Sequence, residues 1–199
     1  MTQIEIGRLL RASTTGFIAG CRISQLAGPA LGALVRAPLD ESYQVYGLIH
    51  DIHIDDDGLV RQLVTAENVS DEVMRDNRER RIVPVEMSVL AVGYEQDGRI
   101  FHLLPPRPPL SLDVIYLCDN TDLARFTSAG RFGYFRHILR AQDIPIGEVL
   151  ASHLQQAEKA HGKDSTAWKE NAVKELITLL RDDYPTLMSV LGALGEVVN

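Results

Sequence analysis

The sequence predicts an α+β protein, in which antiparallel β-structure of about six strands precedes a smaller helical part. Up to residue 126, apolar residues alternate with polar ones in short runs that glycine, proline and aspartate separate. After Phe126 the apolar residues recur with the period of about 3.6 that is typical of helices. All lysines lie at Lys159 and beyond, so the β half uses only arginine as its cation. We therefore expect a β domain over 1–127 and a helical domain of three to four helices over 128–199.

The first strands come from three short runs near the start of the chain. Residues 4–11 and 17–23 alternate, and a Ser-Thr-Thr-Gly turn at 13–16 separates them. Residues 34–37 predict a third strand, and the polar segment 38–42 predicts the turn after it.

The central strand is predicted over 43–54, YQVYGLIHDIHI, and the other strands are arranged around it. Alternation puts Tyr46, Leu48 and His50 on one face, which predicts a buried histidine with one hydrogen bond. Val45, Gly47, Ile49, Asp51 and His53 occupy the other face. The Asp-Asp-Asp-Gly run at 55–58 predicts a hairpin turn, with a partner strand over 59–64.

The next stretch begins with charge and ends with prolines. Residues 67–81 are strongly charged and predict a short helix, with Ser70 as a possible N-cap, or an exposed loop. Strands are expected at 82–94, at 100–104 and at 114–118. The intervening PPRPPL segment, 105–110, cannot donate hydrogen bonds through its prolines, so we expect it at an edge or as an extended connector.

The helical half divides into an aromatic joint and three apolar stripes. Residues 131–140 predict a short helix or turn that packs the helices onto the β half. Helices are expected over 146–161, over 166–181 with Ser165 as N-cap, and from Pro185 onward.

Composition limits the function classes. The net charge of −7 repels phosphate backbones and disfavours non-specific nucleic-acid binding. The two cysteines, Cys21 and Cys118, lie in apolar runs and are expected to be buried thiols. The N-terminal residues lack the pattern of a secretory leader, and no apolar run approaches the length of a membrane span, so we expect a cytoplasmic protein with no membrane partner.

A series of motifs resembles a known family. The segments IGRLLRAST, FIAG, ALVRAP, YQVYGLIHDI, SVLAVGY and PPRPPLSLDVIYL, within residues 3–126, are similar to the HerA–ATP synthase (HAS) barrel. That resemblance implies a small closed β-barrel like the one that precedes the motor of HerA-type ATPases, where barrels sit side by side in a ring or receive partner proteins. Closure would remove exposed sheet edges, and the glycines at 7, 16, 20, 47 and 93 would let short strands coil.

The chain departs from that family in one respect that matters for function. HerA-type proteins carry a P-loop ATPase after the barrel, whereas this sequence contains no GxxxxGK[ST] motif. It also lacks GxSxG and HExxH. We therefore expect a non-catalytic protein with no cofactor and no metal, although side chains distant in sequence could still converge into an active site.

Two arginine-bearing segments are candidate contacts for a partner or a phosphate. The first contains Arg75, Arg78, Arg80 and Arg81, interleaved with acidic residues that favour a salt-bridged, solvated segment. The second contains Arg131 and Arg136 among aromatic residues, a mixture that is typical of proteins that bind single-stranded nucleic acid.

One candidate metal site is predicted near the end of the central strand. Asp51, His53 and Asp55 share a strand face and could hold a metal, but a wet strand edge beside a turn is the simpler interpretation.

The function predicted from these observations is that of a protein-interaction and assembly module. Its expected partner is a second copy or a barrel-bearing ATPase, and an oligomer is the expected state. The alternative is a nucleic-acid-associated accessory protein that binds through the arginine-rich segments.

Overall fold

The structure, a computed structural model, describes residues 4–22, 29–54, 65, 70–72 and 84–196. Within these residues the β half contains seven strands: β1 Ile4–Ala12, β2 Gly16–Arg22, β3 Leu34–Pro38, β4 Tyr43–Ile54, β5 Pro84–Gln96, β6 Arg99–Phe101 and β7 Val114–Leu117. The predicted turn at 55–58, the strand at 59–64 and most of the charged segment 67–81 lie outside the described residues.

Six of these strands form a closed antiparallel barrel, as the sequence predicted. The hydrogen-bonded order is β2-β1-β7-β3-β4-β5, and a further ladder between β2 and β5 closes the ring. The short strand β6 only extends the β5 hairpin. It ends at Phe101, short of the expected strand over 100–104, and the prolines that begin at Pro105 cannot donate to a ladder.

The barrel interior is filled by the inward-facing residues of every strand. They include Leu9, Phe17, Val45, Met87 and Ile115, which are almost completely buried. Gly47 is required there because a Cβ at this position would overlap the Val89 side chain and lie 3.0 Å from the Leu90 carbonyl oxygen. The inward alternation therefore forms a packed core with no room for a side chain at position 47.

A β-bulge in β4 changes the predicted faces beyond Ile49. Ile49 pairs with Val89 and Asp51 pairs with Ser88, so His50 is an extra residue in the ladder. Tyr46 and Leu48 share the outer face of the barrel, and His50 is half-buried in the bulge. The expectation of a buried core histidine was wrong, because His50 stays on the outer side of the barrel and is only partly covered there. The inserted residue shifts Asp51 and the later side chains of β4 by one face.

Five helices follow in the described part of the chain: α1 Asn120–Ser128, α2 Phe135–Leu139, α3 Ile146–His161, α4 Ser165–Leu179 and α5 Tyr184–Glu196. The sequence placed the change to helix after Phe126, but α1 begins six residues earlier. Asp119 caps it by accepting a hydrogen bond from the Asp122 backbone N–H at 2.9 Å. Ser165 is the first residue of α4, which begins after Asp164 without a side-chain cap.

A second core joins the helices to the outer face of the barrel. The strands contribute Leu34, Tyr46, Leu48 and Val92, which pack with residues of all five helices. The aromatic segment before and within α2 lies in this core, as the predicted joint. One turn of it, Gly130–Phe132, has left-handed backbone with φ of 56°, 46° and 55° in order.

Two buried histidines stabilise the same joint. His153 in α3 has both ring nitrogens within hydrogen-bond distance of barrel-side and joint groups: Nδ1 lies 3.1 Å from the Gly32 carbonyl oxygen and Nε2 lies 3.1 Å from the Tyr134 hydroxyl. His102 packs on Phe126, and its Nε2 lies 3.1 Å from the Phe126 carbonyl oxygen. Burial lowers the pKa of both imidazoles to about 4, so both are neutral at pH 7.

In the described part of the chain, no helix is both long enough and apolar enough to cross a bilayer.

Candidate functional site

A polar cleft lies on the outer face of the barrel beside α1. Its volume is about 650 Å³, and it opens where β3 and β7 diverge after only two paired residues. Its floor is a row of side chains from neighbouring strands, because Tyr116 pairs with Arg36 and Gln44 pairs with Glu95. A cleft with converging polar groups is the usual place to look for a ligand or an active site.

Glu95 is the centre of the hydrogen-bond network in this cleft. Arg125 of α1 donates to both carboxylate oxygens, each at 2.7 Å. The Tyr46 hydroxyl donates to Oε2 at 2.8 Å, and the Gln44 amide donates to the same oxygen at 2.5 Å. Four donors therefore surround one carboxylate that is only 8% exposed.

The ionisation of these groups follows from the contacts. Hydrogen bonds from Arg125 lower the pKa of Glu95 to about 2, against the opposing effect of burial. Burial, reinforced by the neighbouring Glu95 carboxylate, raises the pKa of the Tyr46 hydroxyl. Glu95 is therefore ionised and Tyr46 is protonated throughout the neutral range.

A second ion pair connects the same cleft to α1. Arg36 lies with its Nε 3.2 Å from Asp122 Oδ2, and its Nη1 donates to the Gln44 side chain at 3.1 Å. Its guanidinium also lies 5.4 Å from the centre of the Tyr116 ring. Because Arg125 is hydrogen-bonded to Glu95 and Arg36 is ion-paired with Asp122, the cleft fixes α1 on the barrel and leaves no activated nucleophile or base among these groups.

A different part of the barrel surface carries exposed leucines. Leu10 of β1, Leu110 and Leu112 are 48%, 68% and 71% exposed. They lie close together because the Leu112 N–H donates to the Leu9 carbonyl at 2.8 Å and the Ser111 hydroxyl donates to the Leu10 carbonyl at 3.3 Å. We call Leu10, Leu110 and Leu112 the leucine patch.

The structure describes two of the six arginines that were predicted as partner or phosphate contacts. The other four lie outside the described residues: Arg75, Arg78, Arg80 and Arg81.

Arg131 is exposed on the left-handed turn, whereas Arg136 is half-buried. The Arg136 Nη2 donates to the His102 carbonyl oxygen at 2.6 Å. Arg136 therefore stabilises the joint, and its guanidinium is already engaged within the fold.

Two of the three residues of the candidate metal site lie near the end of β4. Asp51 and His53 are both exposed at the end of β4, and Asp55 lies outside the described residues. Among the described residues no group of three or more histidine, cysteine or acidic side chains is placed to hold a metal ion.

Sequence reasoning missed both the Glu95 network and the leucine patch. Glu95 and Arg125 are 30 residues apart, and no local pattern links them. The sequence did contain a signal for the leucine patch, because Leu110 ends the proline-rich segment 105–110, which was expected at an edge or as an extended connector.

A comparison of the sequence with models of known protein families found no match, and a search of curated proteins found no similar sequence. The resemblance to the HAS barrel therefore stays a prediction.

Proposed function

We propose that this protein is a non-catalytic assembly module whose barrel associates with a second copy through the leucine patch. The observation that carries the proposal is the exposure of three neighbouring leucines on a strand and connector of an otherwise closed barrel. Contiguous apolar surface of this kind marks contact sites in soluble proteins.

Several features support a second copy as the occupant. The protein has a net charge of −7, so two copies repel each other wherever their charged surfaces meet. An uncharged apolar patch can face its own copy across a two-fold axis without that penalty. The resemblance to HAS barrels, which sit side by side in rings, points to the same kind of contact.

The proposal includes a non-enzymatic role and a cytoplasmic location. Arg125, Tyr46 and Glu95 of the polar cleft bind one another, which supports a structural role for them. Cys21 and Cys118 are buried free thiols, as is usual in a reducing compartment.

Size-exclusion chromatography with light scattering tests the proposal. We expect the wild-type protein to form an oligomer that dissociates on dilution. Burying a leucine contributes roughly 1.5–3 kcal/mol, and a two-fold interface contains each residue twice. Leu112→Glu should therefore weaken association by about a hundredfold or more and yield monomers at concentrations where the wild type is associated.

The matched control is Ile177→Glu, which places the same charge on an aliphatic residue of α4 that is 44% exposed. It should leave the oligomer intact. A wild-type protein that is monomeric at high concentration would overturn the proposal, as would a Leu112→Glu variant that associates like the wild type. Mixing the monomeric variant with a purified HerA-type ATPase separates docking on a barrel-bearing motor from self-association.

A further inference from the structure

A second groove lies on the outer face of the barrel, next to the leucine patch, since Leu10 directly precedes Arg11 of the groove in β1. It shares no lining residue with the polar cleft. Its volume is about 340 Å³, and its polar lining is contributed by Arg11, Ser13, His50 and Ser88. The rest of its lining is small or apolar: Ala12, Gly16, Phe17, Ile18 and Val89. We call it the donor groove, because its polar side chains can all donate hydrogen bonds.

The groove follows one row of residues across four strands. Arg11 of β1 pairs with Ile18 of β2, Ile18 pairs with Ser88 of β5, and Ser88 pairs with Asp51 of β4 beside the inserted His50. At the usual strand separation of about 4.8 Å, the backbones of Arg11 and His50 are roughly 14 Å apart. Their long side chains can approach one group that lies between them.

Two β-bulges lie at the two ends of this row. In β1, Leu9 pairs with Ala19 and Arg11 pairs with Ile18, so Leu10 is the extra residue. Without that insertion Arg11 would share the inward face of Leu9. In β4 the bulge inserts His50 between Ile49 and Asp51 and turns Asp51 away from the inward face of Ile49. Bulges that redirect side chains are common beside binding sites.

Three of the four donor side chains of the groove are not used within the fold, whereas the Ser13 hydroxyl donates to the Gly16 carbonyl oxygen at 3.1 Å. Among the described residues, the side chains of Arg11, His50 and Ser88 have no hydrogen-bond or ion-pair partner, and no carboxylate lines the groove. This is the opposite of the polar cleft, where Glu95 satisfies Arg125. The nearest acid in sequence is Asp51, which is exposed next to His50.

We propose that the donor groove binds an oxyanion, either a phosphate or a carboxylate group, with Arg11 supplying the positive charge. Ser88 and His50 donate hydrogen bonds, and the imidazole can donate one in either protonation state. The apolar residues of the groove contact the part of the ligand next to the anionic group. This site is independent of the leucine patch and of self-association.

An NMR titration of the full chain tests the proposal. Inorganic phosphate and acetate are added separately at constant ionic strength, and the shifts of the His50 ring and of the Arg11 and Ser88 amides are followed. We expect saturable shifts confined to these residues, with the tighter ligand identifying the source of the anion. Shifts that do not saturate for either anion, or that spread evenly over the surface, would overturn the proposal.

Variants separate the groove from general charge effects. Arg11→Gln should weaken binding by about tenfold or more, since it removes a charged hydrogen-bond donor. Arg140→Gln, at another exposed arginine, should leave affinity unchanged. Asp51→Asn should strengthen binding a few-fold by removing a nearby negative charge, and Ser88→Asp should abolish it. Equal effects of Arg11→Gln and Arg140→Gln, with a native spectrum in both, would refute the site.

Discussion

Replacing Arg125 by methionine tests the Glu95 network directly. The substitution keeps an unbranched side chain of similar length on α1 and removes two hydrogen bonds of 2.7 Å to the Glu95 carboxylate. Glu95 is 8% exposed and would retain only the Tyr46 and Gln44 donors. The variant thus leaves a buried charge without its counter-ion.

The expected loss of stability is about 2–3 kcal/mol. Removing one partner of a buried ion pair costs roughly 3–5 kcal/mol. The Arg125 side chain is 42% exposed, so water screens part of that interaction and the lower figure applies. In a chain of this size, 2–3 kcal/mol corresponds to a fall in Tm of about 5–10 °C.

The pH dependence of the stability difference between the wild type and Arg125→Met identifies the cause of that difference. The folded pKa of Glu95 is about 2, below its ordinary value of 4.5, so the unfolded chain takes up this proton first as the pH falls. The stabilisation by Arg125 is therefore complete above about pH 5 and is lost as the pH falls from 4.5 towards 2. Protonation of the buried histidines lowers the stability of the wild type and of Arg125→Met equally, so it cancels in the stability difference between them.

Urea unfolding followed by circular dichroism measures these quantities across the pH range. Arg140→Met, at an exposed arginine, is the matched control and should change stability by less than about 0.5 kcal/mol. The reasoning is refuted if Arg125→Met matches this control at neutral pH. It is also refuted if the deficit of Arg125→Met is the same at pH 3 as at pH 7.

Two further predictions concern the buried histidines and the barrel core. The pKa of His153 is about 4 in the folded chain and 6.5 in the unfolded chain, so acid favours the unfolded chain. Between pH 7 and pH 5 this residue should lower the free energy of unfolding by about 2 kcal/mol. His153→Gln should remove that part of the pH dependence in urea titrations. Gly47→Ala should destabilise by at least about 2 kcal/mol because its Cβ would overlap Val89. Gly192→Ala, in α5 with open space around it, is the control and should stabilise by about 0.5–1 kcal/mol; equal effects of the two substitutions in thermal melts would contradict the packing argument.

The strands and helices were largely predictable because they depend on local periodicity. Alternating residues in β1 to β5 have one face in the barrel core, and the apolar stripes of α3, α4 and α5 face the second core. Errors came where a local rule has exceptions. The faces of Asp51 and the later residues of β4 were wrong because a bulge leaves no mark in alternation, and the start of α1 was missed although Asp119 is a good N-cap residue.

The candidate sites were much less predictable, because they join residues that are distant in sequence. The donor groove needs Arg11 and His50, which belong to β1 and β4, with β2 and β5 between them. The polar cleft joins Tyr46 to Arg125, which is 79 residues away. Neither spacing carries a motif, so residue types alone could not group these side chains.

The sequence by itself determined an α+β order and the alternation that fills a barrel. These follow from side-chain size and periodicity, which act between near neighbours. The tertiary structure decided which polar groups are used within the fold and which are left for a partner. Glu95 is satisfied by Arg125, whereas Arg11 has no partner among the described residues, because strand register and helix docking, rather than local sequence, set these distances.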